Sequence, residues 1–125
     1  MTLRPAAALL LVLTSPAWAH AIIVDSTPAP YAHVAAGPLS LVLRYNSRID
    51  AARSKLVLRH GATDQRLAPT AAGAPDVLQA SATVVPGEYQ VVWQVLATDG
   101  HITRGRIPFT VMPPAGVPAG PVAAR

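Results

Sequence analysis

Between Glu88 and Ala97 every second residue is large and apolar: Tyr89, Val91, Trp93 and Val95 share one face, with Gln90 and Gln94 on the other. Side chains alternate across a β-strand, so this period of two marks a strand with one buried face. A helix would need its apolar stripe to recur every 3.6 residues. The same period recurs at Leu39, Leu41, Leu43 and Tyr45, opposite Ser40 and Arg44. It recurs again at Leu56 and Leu58 between Lys55 and Arg59, and at Ile107, Phe109 and Val111. Ala21 to Asp25 is apolar and β-branched enough for a short first strand, and Val77 to Ala82 is a weaker candidate. Turn signals separate these runs: Pro28-Ala29-Pro30, Gly37-Pro38, Gly61, Gly73 with Pro75, Pro86-Gly87 and Asp99-Gly100. With no helical period after the first 19 residues, the pattern predicts an all-β fold. The expected architecture is a small antiparallel Greek-key β-sandwich, immunoglobulin-like and cupredoxin-related. Pro108 interrupts the last strand, which predicts a sheet edge or a bulge there.

The chain opens with Arg4, an apolar run from Ala6 to Leu13, and Ala17-Trp18-Ala19. That is a basic segment, an apolar segment too short to span a bilayer, and a small-x-small cleavage site. Residues 1–19 are therefore expected to be a signal peptide, residues 20–112 a single β-sandwich domain, and residues 113–125, rich in Pro, Gly, Ala and Val, a disordered tail. Beyond residue 19 no apolar stretch is long enough for a transmembrane helix, so an exported, soluble chain is expected. The chain has no cysteine, which excludes thiolate nucleophiles, cysteine-based zinc sites, iron–sulfur clusters and cysteine-ligated copper. Formal charge is only +4, the arginines are scattered, and few aromatics stand among them. No nucleic-acid partner is expected, and the arginines are expected to be solvated on strand faces. There is no phosphate-binding glycine loop, no Ser/His/Asp arrangement and no close carboxylate pair suggesting hydrolysis.

Cleavage after Ala19 makes His20 the first residue of the mature chain. Its α-amine and imidazole Nδ1 can then chelate one metal ion through a six-membered ring. A second feature, Thr98-Asp99-Gly100-His101, follows the longest strand directly. Asp99 and His101 are two apart, so an extended backbone would point both side chains the same way. Taken alone, the motif is also an ordinary Asp-Gly hairpin turn with a nearby histidine. Two nitrogens from His20, one from His101 and an oxygen from Asp99 make a set that suits one Cu(II) per chain, with zinc a poorer fit. Such a site must displace protons from its nitrogens, so its affinity should fall on acidification. Thr98, Thr103 and Arg104 are candidates for orienting Asp99. His33 and His60 are expected to be surface or turn residues, and Tyr89 and Trp93 core packing.

These pieces together resemble the CopC-type copper-binding domain of bacterial copper-resistance proteins. The matching segments are His20-Ala21 with Ser26-Thr27-Pro28-Ala29, Leu41-Val42-Leu43-Arg44-Tyr45, and Pro86-Gly87-Glu88-Tyr89-Gln90-Val91-Val92-Trp93. The block Thr98 to Gly105 then leads into Phe109-Thr110-Val111, so the resemblance spans His20 to about Val111. It implies Cu(II) ligands at His20, Asp99 and His101, copper sequestration or carriage in resistance, and a CopD-type inner-membrane partner; a monomer without enzymatic activity is the default expectation. Two departures matter. The position where some members carry a ligating glutamate reads Tyr45-Asn46-Ser47, and Met112 is the only methionine after the leader. One Cu(II) site and no thioether Cu(I) site are therefore expected.

Two other functions stay open at the level of sequence. An amino-terminal histidine with a second histidine is similar to the histidine brace of copper mono-oxygenases, although a neighbouring carboxylate would oppose copper reduction. An exported interaction module without metal would result if cleavage fell after Ala21 and discarded His20.

Overall fold

The computed structural model describes residues 21–70 and 73–114, and these form strands without any helix. The strands are β1 (Ile23–Thr27), β2 (Ala32–Ala35), β3 (Gly37–Tyr45), β4 (Ile49–His60), β5 (Thr63–Leu67), β6 (Val77–Val84), β7 (Gly87–Ala97) and β8 (Ile102–Met112). They make two sheets, one ordered β1-β3-β6 and one ordered β2-β8-β7-β4-β5. Only β4–β5 and β7–β8 are hairpins within a sheet; every other connection crosses between sheets. The expected sandwich is present; the segment expected to be a signal peptide, His20 and residues 115–125 lie outside the described residues.

The period-two positions supply the core. Leu41, Leu43 and Tyr45 of β3 and Leu78, Ala80 and Val84 of β6 bury one sheet face. Facing them are Leu56 and Leu58 of β4, Tyr89, Val91, Trp93 and Val95 of β7, and Ile107, Phe109 and Val111 of β8. Fully burying each of these larger side chains contributes about 1.5–3 kcal/mol, which the alternation directs to one side of each sheet. The β4–β7 register shifts between Asp50 and Lys55. Buried Ser54 bridges this irregularity, donating to the Asp50 carbonyl at 2.6 Å and accepting from the Leu96 amide at 3.3 Å.

One feature differs from expectation, and one open alternative is resolved. The pairing is not wholly antiparallel, because β2 runs parallel to β8 from Ala32↔Phe109 to Ala35↔Met112. Pro108 carries no bulge, since the β7–β8 register is unbroken from Gly87↔Val111 to Leu96↔Ile102. Instead it lies where β2 begins to cover β8: its carbonyl accepts from the Tyr31 amide, and earlier residues of β8 have that flank open. The strand is thus an edge up to the proline and an interior strand beyond it.

Candidate metal centre

The hairpin joining β7 to β8 holds Asp99 and His101. The Ala97 carbonyl accepts from the Gly100 amide at 2.9 Å, and the Ala97 amide donates to the His101 carbonyl at 2.8 Å. Gly100 takes φ +93°, a conformation glycine adopts without Cβ strain. The backbone is therefore a turn, not the extended segment the spacing suggested, and a different device brings the side chains together. Asp99 Oδ1 accepts from the His101 amide at 3.0 Å, an Asx-type turn, and Oδ2 lies 2.9 Å from His101 Nδ1. The histidine side chain is 61% exposed and the aspartate 30%, so the pair is open to solvent.

The chain's first described residues run past this hairpin. Ala21 is buried, and its carbonyl accepts a 2.8 Å hydrogen bond from the hydroxyl of Thr103. Ile22 is held from the other side, its amide donating to Asn46 Oδ1 at 2.8 Å and its carbonyl accepting from the Asn46 amide at 2.9 Å. The same segment after β3 reaches the hairpin, because the Thr98 amide donates to the Arg48 carbonyl at 3.2 Å. Three stretches, 21–22, 46–48 and 97–103, thus meet at one end of the sandwich.

Of the residues singled out from the sequence, Asp99 and His101 are adjacent, and His20 lies outside the described residues. Among the described residues no three of His, Cys, Asp and Glu converge as a metal site. Two of the three residues suggested for orienting Asp99 bond elsewhere: the Thr103 hydroxyl donates to Ala21, and Arg104 Nε donates to Gln94 Oε1 at 2.8 Å. The anchoring roles of Thr103 and Asn46 were missed from the sequence. The available signal was Thr103 itself, a polar residue in the inward series Thr103, Gly105, Ile107, Phe109 and Val111, where a hydroxyl needs a partner.

The remaining candidates pack. His60 stacks on Tyr89 with ring centroids 4.2 Å apart, and any side chain at Gly87 would run into its ring. His33 is exposed on β2 rather than in a turn. It lines an open cleft of about 450 Å³ with Glu88, Gln90, Pro108 and Thr110, at the opposite end of β7 and β8 from His101. Trp93 meets Tyr45 edge-on at 5.3 Å and covers Gly105. Burial pushes the Tyr45 phenol well above the ordinary tyrosine range, and its hydroxyl has no hydrogen-bond partner among the described residues.

The two-sheet sandwich is the fold that the comparisons also find. The CopC domain model matches residues 23–112, and the chain belongs to that family. Protein YobA of Escherichia coli strain K12 is 28% identical over 117 residues, covering 88% of this chain and 94% of that protein. The crystal structure of CopC from Methylosinus trichosporium OB3b superposes with a TM-score of 0.70 at 29% identity, covering 78% of this chain and 99% of that one. PcoC, a methionine-rich copper resistance protein from Escherichia coli, shares the fold with a TM-score of 0.61 at 24% identity, covering 74% of this chain and 99% of its own.

Proposed function

We propose that this chain is an exported copper-resistance protein that carries or sequesters one Cu(II) ion in the periplasm, without catalysis. Its ligands are the α-amine and imidazole of His20, the carboxylate of Asp99 and the imidazole of His101. The observation that carries the reading is the Thr103–Ala21 hydrogen bond. It ties the residue after His20 to the strand that starts immediately after His101, and successive Cα atoms are only about 3.8 Å apart.

The Asp99–His101 spacing supports the same reading. Donors bound about 2.0 Å from one metal ion at right angles lie about 2.8 Å apart. The observed Nδ1···Oδ2 separation is 2.9 Å. Copper bound to both atoms would replace this contact. Nitrogen and oxygen donors favour Cu(II), whereas Cu(I) prefers sulfur. Met112 is the one sulfur-bearing side chain among the described residues. Membership of the CopC family and likeness to a copper resistance protein supply the biological setting. By the same family resemblance its partner is a CopD-type inner-membrane protein, with a monomer as the default state.

Intact-mass measurement of the protein recovered from the periplasm tests the reading. A chain beginning at His20 that takes up one equivalent of Cu(II) supports it. A chain beginning at Ile22, or one retaining its leader in the cytoplasm, contradicts it.

A further inference from the structure

Strand register gathers basic residues that are scattered along the sequence. Lys55 of β4 stands opposite Gln94 of β7, which stands opposite Arg104 of β8. Two residues along, Arg66 of β5, Val57, Val92 and Arg106 lie abreast. All belong to the outward series, since the intervening Leu56, Trp93, Val91 and Ile107 are buried. With strands about 4.8 Å apart and two residues advancing about 6.7 Å, four basic groups stand on a patch of roughly 15 by 7 Å.

None of the four makes an ion pair among the described residues. The acids of this face stand at its rim. Asp50 lies by Arg53, Asp64 holds Arg59 through a 2.8 Å bond, and Glu88 is in the last row beyond Gln90. The outer face of the three-stranded sheet contrasts with this. It presents Ser40, Gln79, Ser81 and Thr83 with a single cation, Arg44, opposite Asp25 of β1. One broad face of the sandwich is cationic and the other is close to neutral.

We propose that the outer face of the five-stranded sheet docks on an anionic phospholipid bilayer. The patch is a flat sheet surface; the 450 Å³ cleft is lined from further along the strands, around Pro108 and Glu88. A plane of guanidinium forks and one ammonium matches a plane of phosphates. Half-buried Val57 and Val92 lie among the cations, and Ile102, 50% exposed, opens the outward series of β8. Aliphatic side chains amid basic ones suit the boundary between headgroups and acyl chains. No aromatic side chain stands among the four cations, so the face lacks the stacking platform that single-stranded nucleic acid uses. Ile102 follows His101 directly, so docking brings the Asp99–His101 hairpin to the membrane. The proposal does not depend on what that hairpin binds.

Co-sedimentation of the periplasmic protein with phosphatidylcholine vesicles, with and without phosphatidylglycerol, tests it. Each basic side chain at an anionic surface raises partitioning about fivefold. The protein should pellet only with phosphatidylglycerol present and be released as salt rises from about 0.05 to 0.5 M. Arg66→Glu with Arg106→Glu should weaken binding at least about tenfold, whereas Arg44→Glu on the opposite sheet should leave it unchanged. The Arg66→Gln, Arg106→Gln pair should show a smaller loss and covers the case in which charge reversal impairs folding. Equal binding to both vesicle types, parental binding by the folded Gln pair, or binding to polyglutamate or DNA with phosphatidylglycerol vesicles ignored would overturn the proposal.

Discussion

The hydroxyl of Thr103 donates to the carbonyl of Ala21 at 2.8 Å, joining the first described residue to the start of the last strand across 82 positions. A part-buried hydrogen bond of this kind contributes about 0.5–1.5 kcal/mol. If it fixes the amino-terminal ligand beside His101, Thr103→Val should weaken Cu(II) binding roughly threefold to tenfold. Thr103→Ser should retain most of the affinity. Competition titration against a chelator of known affinity reads both. Parental affinity in the valine variant would show that the anchor does not serve the metal.

Gly105 is required by its neighbour. A Cβ at this position would overlap the Trp93 indole, which is wedged between β8 and Tyr45. Gly105→Ala should therefore destabilise the fold by about 1–3 kcal/mol, the usual cost of overpacking a core. For a domain of this size that is a fall in Tm of roughly 4–8 °C per kcal/mol. Thermal unfolding followed by circular dichroism measures it, and an unchanged Tm would mean the indole moves freely.

Tyr45 should make stability depend on alkaline pH. Burial favours the neutral phenol, so the folded protein keeps a proton that the unfolded chain releases above about pH 10. This contribution is full below that pH and is lost progressively as pH rises above it, towards the raised value of the folded phenol. Tyr45→Phe should remove the alkaline slope in urea-unfolding free energy. Because the hydroxyl has no hydrogen-bond partner among the described residues, the substitution should also raise stability at neutral pH by about 1 kcal/mol. A destabilised phenylalanine variant would count against the unpartnered hydroxyl.

The strands that bury a face were legible in the sequence, and those that do not were hidden. β3 and β7 are long and alternate large apolar with polar side chains, so their period survives inspection. β5, Thr63-Asp64-Gln65-Arg66-Leu67, is exposed at every position but the last and pairs with β4 alone, so no core demand is written into it. β2 is four residues of mostly small side chains, and its parallel match with β8 is a long-range pairing that no local pattern encodes. The same division holds at the candidate site. Asp99 and His101 were identified by type and spacing, whereas the Asx turn that joins them is a matter of loop geometry. The basic face of the large sheet was invisible for a third reason. Lys55, Arg66, Arg104 and Arg106 become neighbours only through register.

Acid should release the metal. Copper enters only where ligand nitrogens and the Asp99 carboxylate have given up their protons, so each step down in pH restores a competitor. Cu(II) affinity should fall continuously from neutral to mildly acidic buffer, measured by titration with a pH-insensitive competitor. A constant affinity across that range would contradict a nitrogen-rich ligand set.

The proposed site needs His101 and Asp99 to hold Cu(II) together with an amino-terminal His20. Electron paramagnetic resonance of the mature protein titrated with Cu(II) tests it most directly. One type-2 signal should saturate at one equivalent, be lost in His101→Ala and be altered in Asp99→Ala. The same signal in the parent and in both variants would contradict it.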